Sequence, residues 1–331
     1  MSWNLIGHAW AEKILRQHLK NGDVHHAYLF TGAPGVGRRS LALEFAKAIN
    51  CTNPPDPGNY CGTCSICRHI AALQQADLHV ISSDTEGGMI KVDQMRELQR
   101  SLILTPYEAR YRIALLLNFH RANANAQNAL LKTLEEAPAK VILLLTADSA
   151  ESLLPTISSR CEILRLRPVS IETLASALVE QHQLPPEKAA LYAHIANGRP
   201  GIALRLASDP KTDEKRTNWI GQLQDALGYS IQQKLKLSEN LNKEKNAEPL
   251  GDILKVWTSF VRDILLMQAG KPAGIVNIDY DDEISALANK VSREDLLRFL
   301  KELTRSLDLV EINANPRLML DNLFLSLPVL Q

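Results

Sequence analysis

The sequence predicts an α/β domain, a parallel sheet covered by helices, followed by a purely helical remainder. Three observations predict it. Short apolar runs of strand character alternate with helical stretches between residues 26 and 166, the pattern of a parallel sheet wrapped on both faces. A glycine-rich turn directly follows the first of these runs and opens a helix. After Pro168 no strand-like run of comparable strength recurs, and only helical periodicity is left.

Taken in order, residues 9–20 place Trp10, Ile14, Leu15 and Leu19 at helical spacing, a small amphipathic helix. The short lead-in Leu5-Ile6-Gly7-His8 is either a simple connection or a segment that wraps a nucleotide base. Residues 26–31 read as the first strand and 40–49 as the helix behind the glycine turn. Residues 78–81, 111–118, 141–146 and 162–166 read as further strands, with helices at 92–103 and 122–136 between them. The run 111–118 has the apolar character of a strand buried on both faces. Beyond Pro168, helices are expected at 171–181, 186–196 and 201–207. A polar, turn-rich linker spans 208–215, and a helical bundle with a break at 270–274 follows. The domains expected are therefore 1–167, 168–208 and 209–331, with a cysteine-bearing insert at 51–67.

The turn Gly32-Ala33-Pro34-Gly35-Val36-Gly37-Arg38-Arg39-Ser40 has the strand, loop and helix context of a phosphate-binding loop. Glycines let successive backbone N–H groups point inward, and the helix N-terminus adds partial positive charge. Gly32, Gly35, Gly37, Arg38, Arg39 and Ser40 are thus the candidate anion-binding residues. Arg38 stands where such loops carry lysine, and Arg39 where they carry the hydroxyl that ligates Mg²⁺. A guanidinium binds as a planar fork and does not replace an ammonium conservatively. The strand 111–118 ends Leu116-Leu117-Asn118-Phe119-His120 and offers none of the carboxylates that hold metal and orient water in ATPases. The loop is read as one that keeps its shape without the chemistry; whether a nucleotide or a bare phosphate occupies it is left open.

Cys51, Cys61, Cys64 and Cys67 fall within seventeen residues. Four thiolates at this spacing close on one tetrahedral Zn²⁺, with Gly62 easing the turn after Cys61, and leave no open position for a catalytic role. A structural Zn²⁺ is expected. Lys+Arg and Asp+Glu are 37 each, so composition does not mark a nucleic-acid or membrane binder. No apolar run reaches membrane-spanning length, and the first residues lack a basic segment followed by an apolar core. A cytoplasmic protein is expected, one whose thiols serve metal binding or burial.

The segments 26–32, the cysteine insert, 128–136 (Asn-Ala-Leu-Leu-Lys-Thr-Leu-Glu-Glu) and Ser159-Arg160-Cys161 together resemble the AAA+ clamp-loader subunits of bacterial DNA polymerase III. The resemblance is dense over residues 5–205 and architectural beyond. Within the family, the altered loop and missing acidic pair are similar to delta-prime-type members and not to the gamma/tau ATPases. The resemblance implies an AAA+ P-loop domain, a small helical lid and an all-α collar. It also implies a place in a hetero-pentameric ring with gamma/tau and delta subunits, acting on a sliding clamp and primed DNA. Arg160 matches the arginine that reaches a neighbour's ATP site in trans, and Gly201 stands where an active relative carries an arginine. The residue near Thr146-Ala147-Asp148 that would sense the γ-phosphate does not align securely. Two competing readings are an active gamma/tau-type ATPase with an atypical loop, Ser40 displaced into the metal site, and a zinc-knuckle nucleic-acid binder that borrows the fold; the balanced charge, and a knuckle with only Lys47 and Arg68 nearby, count against the latter.

Overall fold

The computed structural model describes residues 3–84, 88–209, 211–243, 250–311 and 314–328. They form two compact units. One comprises the described residues up to Ala177 with Gly198–Ile202, the other Leu178–Asn197 with those from Ala203 onward. The segment 168–208, expected as a lid, contributes residues to both.

The first unit runs α1 (Ala9–Asn21), β1 (Ala27–Thr31), α2 (Arg38–Asn50), α3 (Ser65–Ala71), β2 (Leu78–Ile81), α4 (Val92–Leu102), β3 (Arg112–Leu116), α5 (Ala124–Glu135), β4 (Val141–Ala147), α6 (Pro155–Ser158) and β5 (Glu162–Arg165). The five strands are parallel, in the order β2-β3-β4-β1-β5. Ala27 pairs with Leu143, Tyr28 with Glu162 and Ile113 with Ile142.

Successive strand residues face opposite sides, so each face has its own core. Tyr28, Phe30, Ile113, Leu115 and Leu144 pack with Leu15, Leu41 and Phe45 on one side. Leu29, Ala114, Leu116, Leu143 and Leu145 pack with Met95, Leu98, Leu130 and Leu134 on the other. The interior strands β1, β3 and β4 are buried throughout, which is why they read as largely apolar runs.

Helices continue through α7 (Ile171–His182), α8 (Pro186–Ile195) and α9 (Pro200–Ser208). α10 (Thr212–Leu227), α11 (Ile231–Lys243), α12 (Leu250–Gln268), α13 (Asp281–Lys290), α14 (Arg293–Glu311) and α15 (Pro316–Leu325) follow. The second unit's core gathers Trp257, Phe260, Phe299, Leu303, Leu320 and Phe324. The linker expected at 208–215 is shorter than its composition suggests. α10 already begins at Thr212, with Asp213 and Glu214 in its first turn, where acidic side chains favour the positive helix end; Pro210 lies outside the described residues. The break at 270–274 is a single 3₁₀ turn, Pro272–Gly274.

A buried ion pair anchors the segment between α4 and β3. Asp77 accepts hydrogen bonds from the backbone N–H groups of Tyr107, Glu108 and Ala109 at 2.8, 2.9 and 2.9 Å. Arg112 reaches the same carboxylate at 3.1 Å and donates to the carbonyls of Ser101 and Thr105. Burial alone would raise the carboxyl pKa, but these N–H groups, from Tyr107, Ala109 and Glu108, and then Arg112 hold it below the ordinary value. A depressed folded pKa stabilises above the unfolded pKa, about 4 for aspartate, and the contribution vanishes as pH falls through the lower folded value. Asp77→Asn should therefore cost about 3 kcal/mol at pH 7. In urea unfolding series the deficit should shrink below about pH 4; a deficit independent of pH would contradict this role.

Candidate functional site

β1 lies between β4 and the edge strand β5, so its carboxyl end delivers the glycine loop beside the carboxyl end of β4. α2 starts at Arg38, capped by Gly37 at φ +108°. Gly35 has φ +83°, and a Cβ on it would lie 2.5 Å from Ile202 Cγ1, so only glycine fits. The Gly201 N–H donates to the Gly35 carbonyl at 2.8 Å. A Cβ on Gly201 would sit 3.0 Å from that oxygen, so an arginine there would require the loop to give way. From the other side, His8 Nε2 donates to the Val36 carbonyl at 2.8 Å, and burial lowers the His8 pKa, favouring the neutral ring. The lead-in 5–8 thus reaches the loop backbone through His8.

Arg38 turns inward, its side chain 8% exposed. Nη1 donates to Asp148 Oδ1 at 2.6 Å, and Nη2 to Asn118 Oδ1 at 3.1 Å. Asp148 follows β4, its Oδ2 lies 3.5 Å from His120 Nε2, and its backbone carbonyl accepts from Gly32 N–H at 3.1 Å. Asn118 follows β3 with φ +50° and donates its N–H to Thr146 Oγ1 at 2.7 Å. The cation of the loop, the strand end that lacks a carboxylate and the Thr146–Asp148 region therefore satisfy one another. Arg39 and Ser40 are exposed on the first turn of α2, so the buried cation is Arg38 alone of the two. The sequence left the role of Asp148 unassigned; the available signal was an acidic residue directly after a buried strand.

Arg160 lies between α6 and β5, apart from the loop. Nη1 donates to the Thr156 carbonyl and Nη2 to Glu135 Oε1, each at 2.9 Å, with the arginine side chain 36% exposed. Glu135 ends α5. In the same segment Thr133 and Leu134 are buried while Lys132, Glu135 and Glu136 are exposed. Cys161 packs against the second core, and burial pushes its thiol up to about 12.

The ligand atoms of Cys51, Cys61, Cys64 and Cys67 all lie within 4.8 Å of one another. The Cys51 and Cys61 sulfurs are 3.6 Å apart, close to the ~3.8 Å edge of a tetrahedron with Zn–S bonds of ~2.3 Å. Backbone N–H groups are aimed at the sulfurs: Cys61 to Cys51 and Cys64 to Cys61 at 3.3 Å, and Cys67 to Cys64 at 3.4 Å. Gly62 has φ +72°, the turn expected of it. The N–H groups of Cys64 and Thr63 draw the Cys61 thiol down to about 6, whereas burial pushes Cys67 up. The donor set, closed and all sulfur, fits a structural zinc. Lys47 is engaged by Glu44 at 2.6 Å and lies 4.6 Å from the centre of the Tyr60 ring.

A glycine loop between the interior strand β1 and its helix, on a parallel sheet of this order, defines a P-loop domain of the AAA+ class. Residues 7–170 match the family model described as DNA polymerase III, delta subunit, and residues 210–328 that of the delta subunit's C-terminal part. DNA polymerase III subunit delta' of Bacillus subtilis is 26% identical over 319 residues, covering 95% of this chain and 94% of the relative. Subunit delta' of Pseudomonas aeruginosa is 34% identical over 202 residues, 60% of each chain. Subunit tau of Salmonella typhimurium is 33% identical over 234 residues, 69% of this chain but only 32% of the relative. The chain belongs to the DNA polymerase III clamp-loader subunit family, on its delta' branch.

Removing Asp148 leaves the buried Arg38 guanidinium without its charged acceptor. Asp148→Ala should lower unfolding stability by about 2 kcal/mol. Adding Arg38→Leu should recover most of that loss, as measured in a double-mutant cycle; additive losses would mean that the pair is not coupled.

Proposed function

We propose that this chain is a non-hydrolysing, delta-prime-type subunit of a DNA polymerase III clamp loader, contributing Arg160 in trans to a neighbouring ATPase subunit. One observation carries this reading: the Arg38 guanidinium is held by Asp148 and Asn118, the ground where an active loop would place lysine, metal and γ-phosphate. The Arg38 side chain is only 8% exposed, so with its fork taken up by protein acceptors it has no open face to turn to a phosphate. Gly201 close over Gly35 supports the same conclusion, since an arginine from that position has no room without a shift of the loop. The competing reading, a gamma/tau-type ATPase with an atypical loop, needs Ser40 at a metal and a carboxylate near Asn118; Ser40 is exposed, and Asn118 contributes an amide.

In this reading the chain has three functional parts, an AAA+ domain (1–167), a lid (168–208) and a collar (209–331). It acts in a ring with gamma/tau and delta subunits that loads a sliding clamp onto primed DNA in the cytoplasm. Any contact it makes with DNA is to backbone phosphate and weakens with salt. Arg160 is exposed enough to reach a partner, and an arginine delivered to a transferring phosphoryl group stabilises its developing charge. Cys51, Cys61, Cys64 and Cys67 hold one structural Zn²⁺ that fixes the insert after α2 and takes no part in chemistry.

Two measurements test this. In a ring reconstituted with ATPase-competent subunits, clamp and primed DNA, Arg160→Ala in this chain should cut ATP turnover by more than about tenfold while assembly persists. The isolated chain should turn over no ATP; unchanged turnover in the ring would remove the trans role, and turnover by the chain alone would revive the ATPase reading. Purified without chelator, the chain should carry about one equivalent of zinc. Cys64→Ser should lose that zinc and lower the melting temperature; a metal-free wild-type chain of unchanged stability would exclude the site.

A further inference from the structure

We infer that Glu135 is a positioning residue for Arg160, orienting its guanidinium for delivery to the neighbouring subunit; this rests on the trans reading of Arg160. A long exposed arginine samples many rotamers and carries about 2 kcal/mol of rotamer entropy. A fork that must meet a phosphoryl group in one orientation gains from being arranged beforehand, because small misplacements cost rate steeply.

Arg160 is fixed at two of its nitrogens by two different elements. Nη1 is held by the Thr156 carbonyl of α6 and Nη2 by the Glu135 carboxylate at the end of α5, each at 2.9 Å. Two anchors on separate elements define the direction of a planar group, which one alone does not. The side chain remains 36% exposed, so the fork is held while part of its surface stays open.

The second anchor is itself braced. Asn123 caps α5 by accepting from Ala126 N–H at 2.8 Å. Gln127 accepts from Leu154 N–H at 3.0 Å and donates to the Ala122 carbonyl at 3.1 Å, tying the helix to the segment that leads into α6. Gln99 of α4 donates to the Ala129 carbonyl and to Thr133 Oγ1 at 2.6 and 3.1 Å. Glu135 thus projects from a helix fixed along its length. An ion pair between groups this exposed adds little to folding stability, so its consequence falls on orientation.

The experiment uses the reconstituted ring with clamp and primed DNA, reading steady-state ATP turnover and ring assembly. Glu135→Ala should lower kcat about tenfold and leave the KM for ATP within about twofold, since it removes nothing from ATP binding. Glu135→Gln keeps an acceptor oxygen and should recover part of the loss, and Glu136→Ala should have no effect. In an Arg160→Ala background, adding Glu135→Ala should change nothing further, because the two act as one unit. Undiminished turnover with Glu135→Ala overturns the inference, as does a further loss in the Arg160→Ala background. A faster ring would mean that Glu135 restrains the arginine, which also overturns it. If Arg160→Ala alone leaves turnover intact, the trans reading fails and the positioning role falls with it; a loss for Arg160→Ala without one for Glu135→Ala overturns the positioning role alone.

Discussion

A guanidinium stays charged in any protein environment, so the inward turn of Arg38 obliges the fold to supply acceptors around it. Asp148 and Asn118 do so from the ends of β4 and β3, and the N-terminus of α2 is thereby tied to two adjacent strands of the sheet. A lysine at the same position presents a point charge on a flexible stem, with no fork to match two acceptors on different strands. Arginine in place of lysine moves the neutralising partner from a bound phosphate to the protein itself. The rest of the loop is arranged around that internal pairing.

Conformational switching in nucleotide-driven domains depends on elements with two discrete arrangements, one of them held by the γ-phosphate and its metal. Here the corresponding groups hold each other. Thr146 accepts from Asn118, the Asp148 carbonyl accepts from Gly32, His8 donates to Val36 and Gly201 to Gly35. These pairs hold the loop and the two strand ends to one another from within the chain.

The features legible in the sequence are those that local pattern determines. The buried strands announce themselves as apolar runs, and β2 spans residues 78–81 as read. The glycine loop follows from its strand and helix neighbours, and the cysteines from spacing alone. The pairings that give the site its character join residues far apart in the chain: Arg38 to Asp148, Arg38 to Asn118, Asp77 to Arg112 and Arg160 to Glu135. Propensity and periodicity carry no information on such partners, because they depend on which strands lie side by side. The order β2-β3-β4-β1-β5 brings the ends of β3 and β4 beside the loop. The misjudged linker is the converse case: Thr212 to Lys215 has the polar composition of a turn, but acidic residues at a helix start are equally at home in its first turn.

α2 shows how the loop and the cysteine cluster bear on one another. Its N-terminus carries Arg38, and it ends at Asn50, directly before Cys51. Midway, Glu44 pairs with Lys47 and accepts from the Tyr60 hydroxyl, while Lys47 lies over the Tyr60 ring. Tyr60 immediately precedes Cys61, so the insert that brings the four thiols together is also fastened to the side of the helix. Lys47 is taken up by these contacts, which adds to the case against a nucleic-acid-binding knuckle. The helix is thus secured at its start by the Arg38–Asp148 pair and along its side by the folded insert, so the loop and the cysteine cluster share one support.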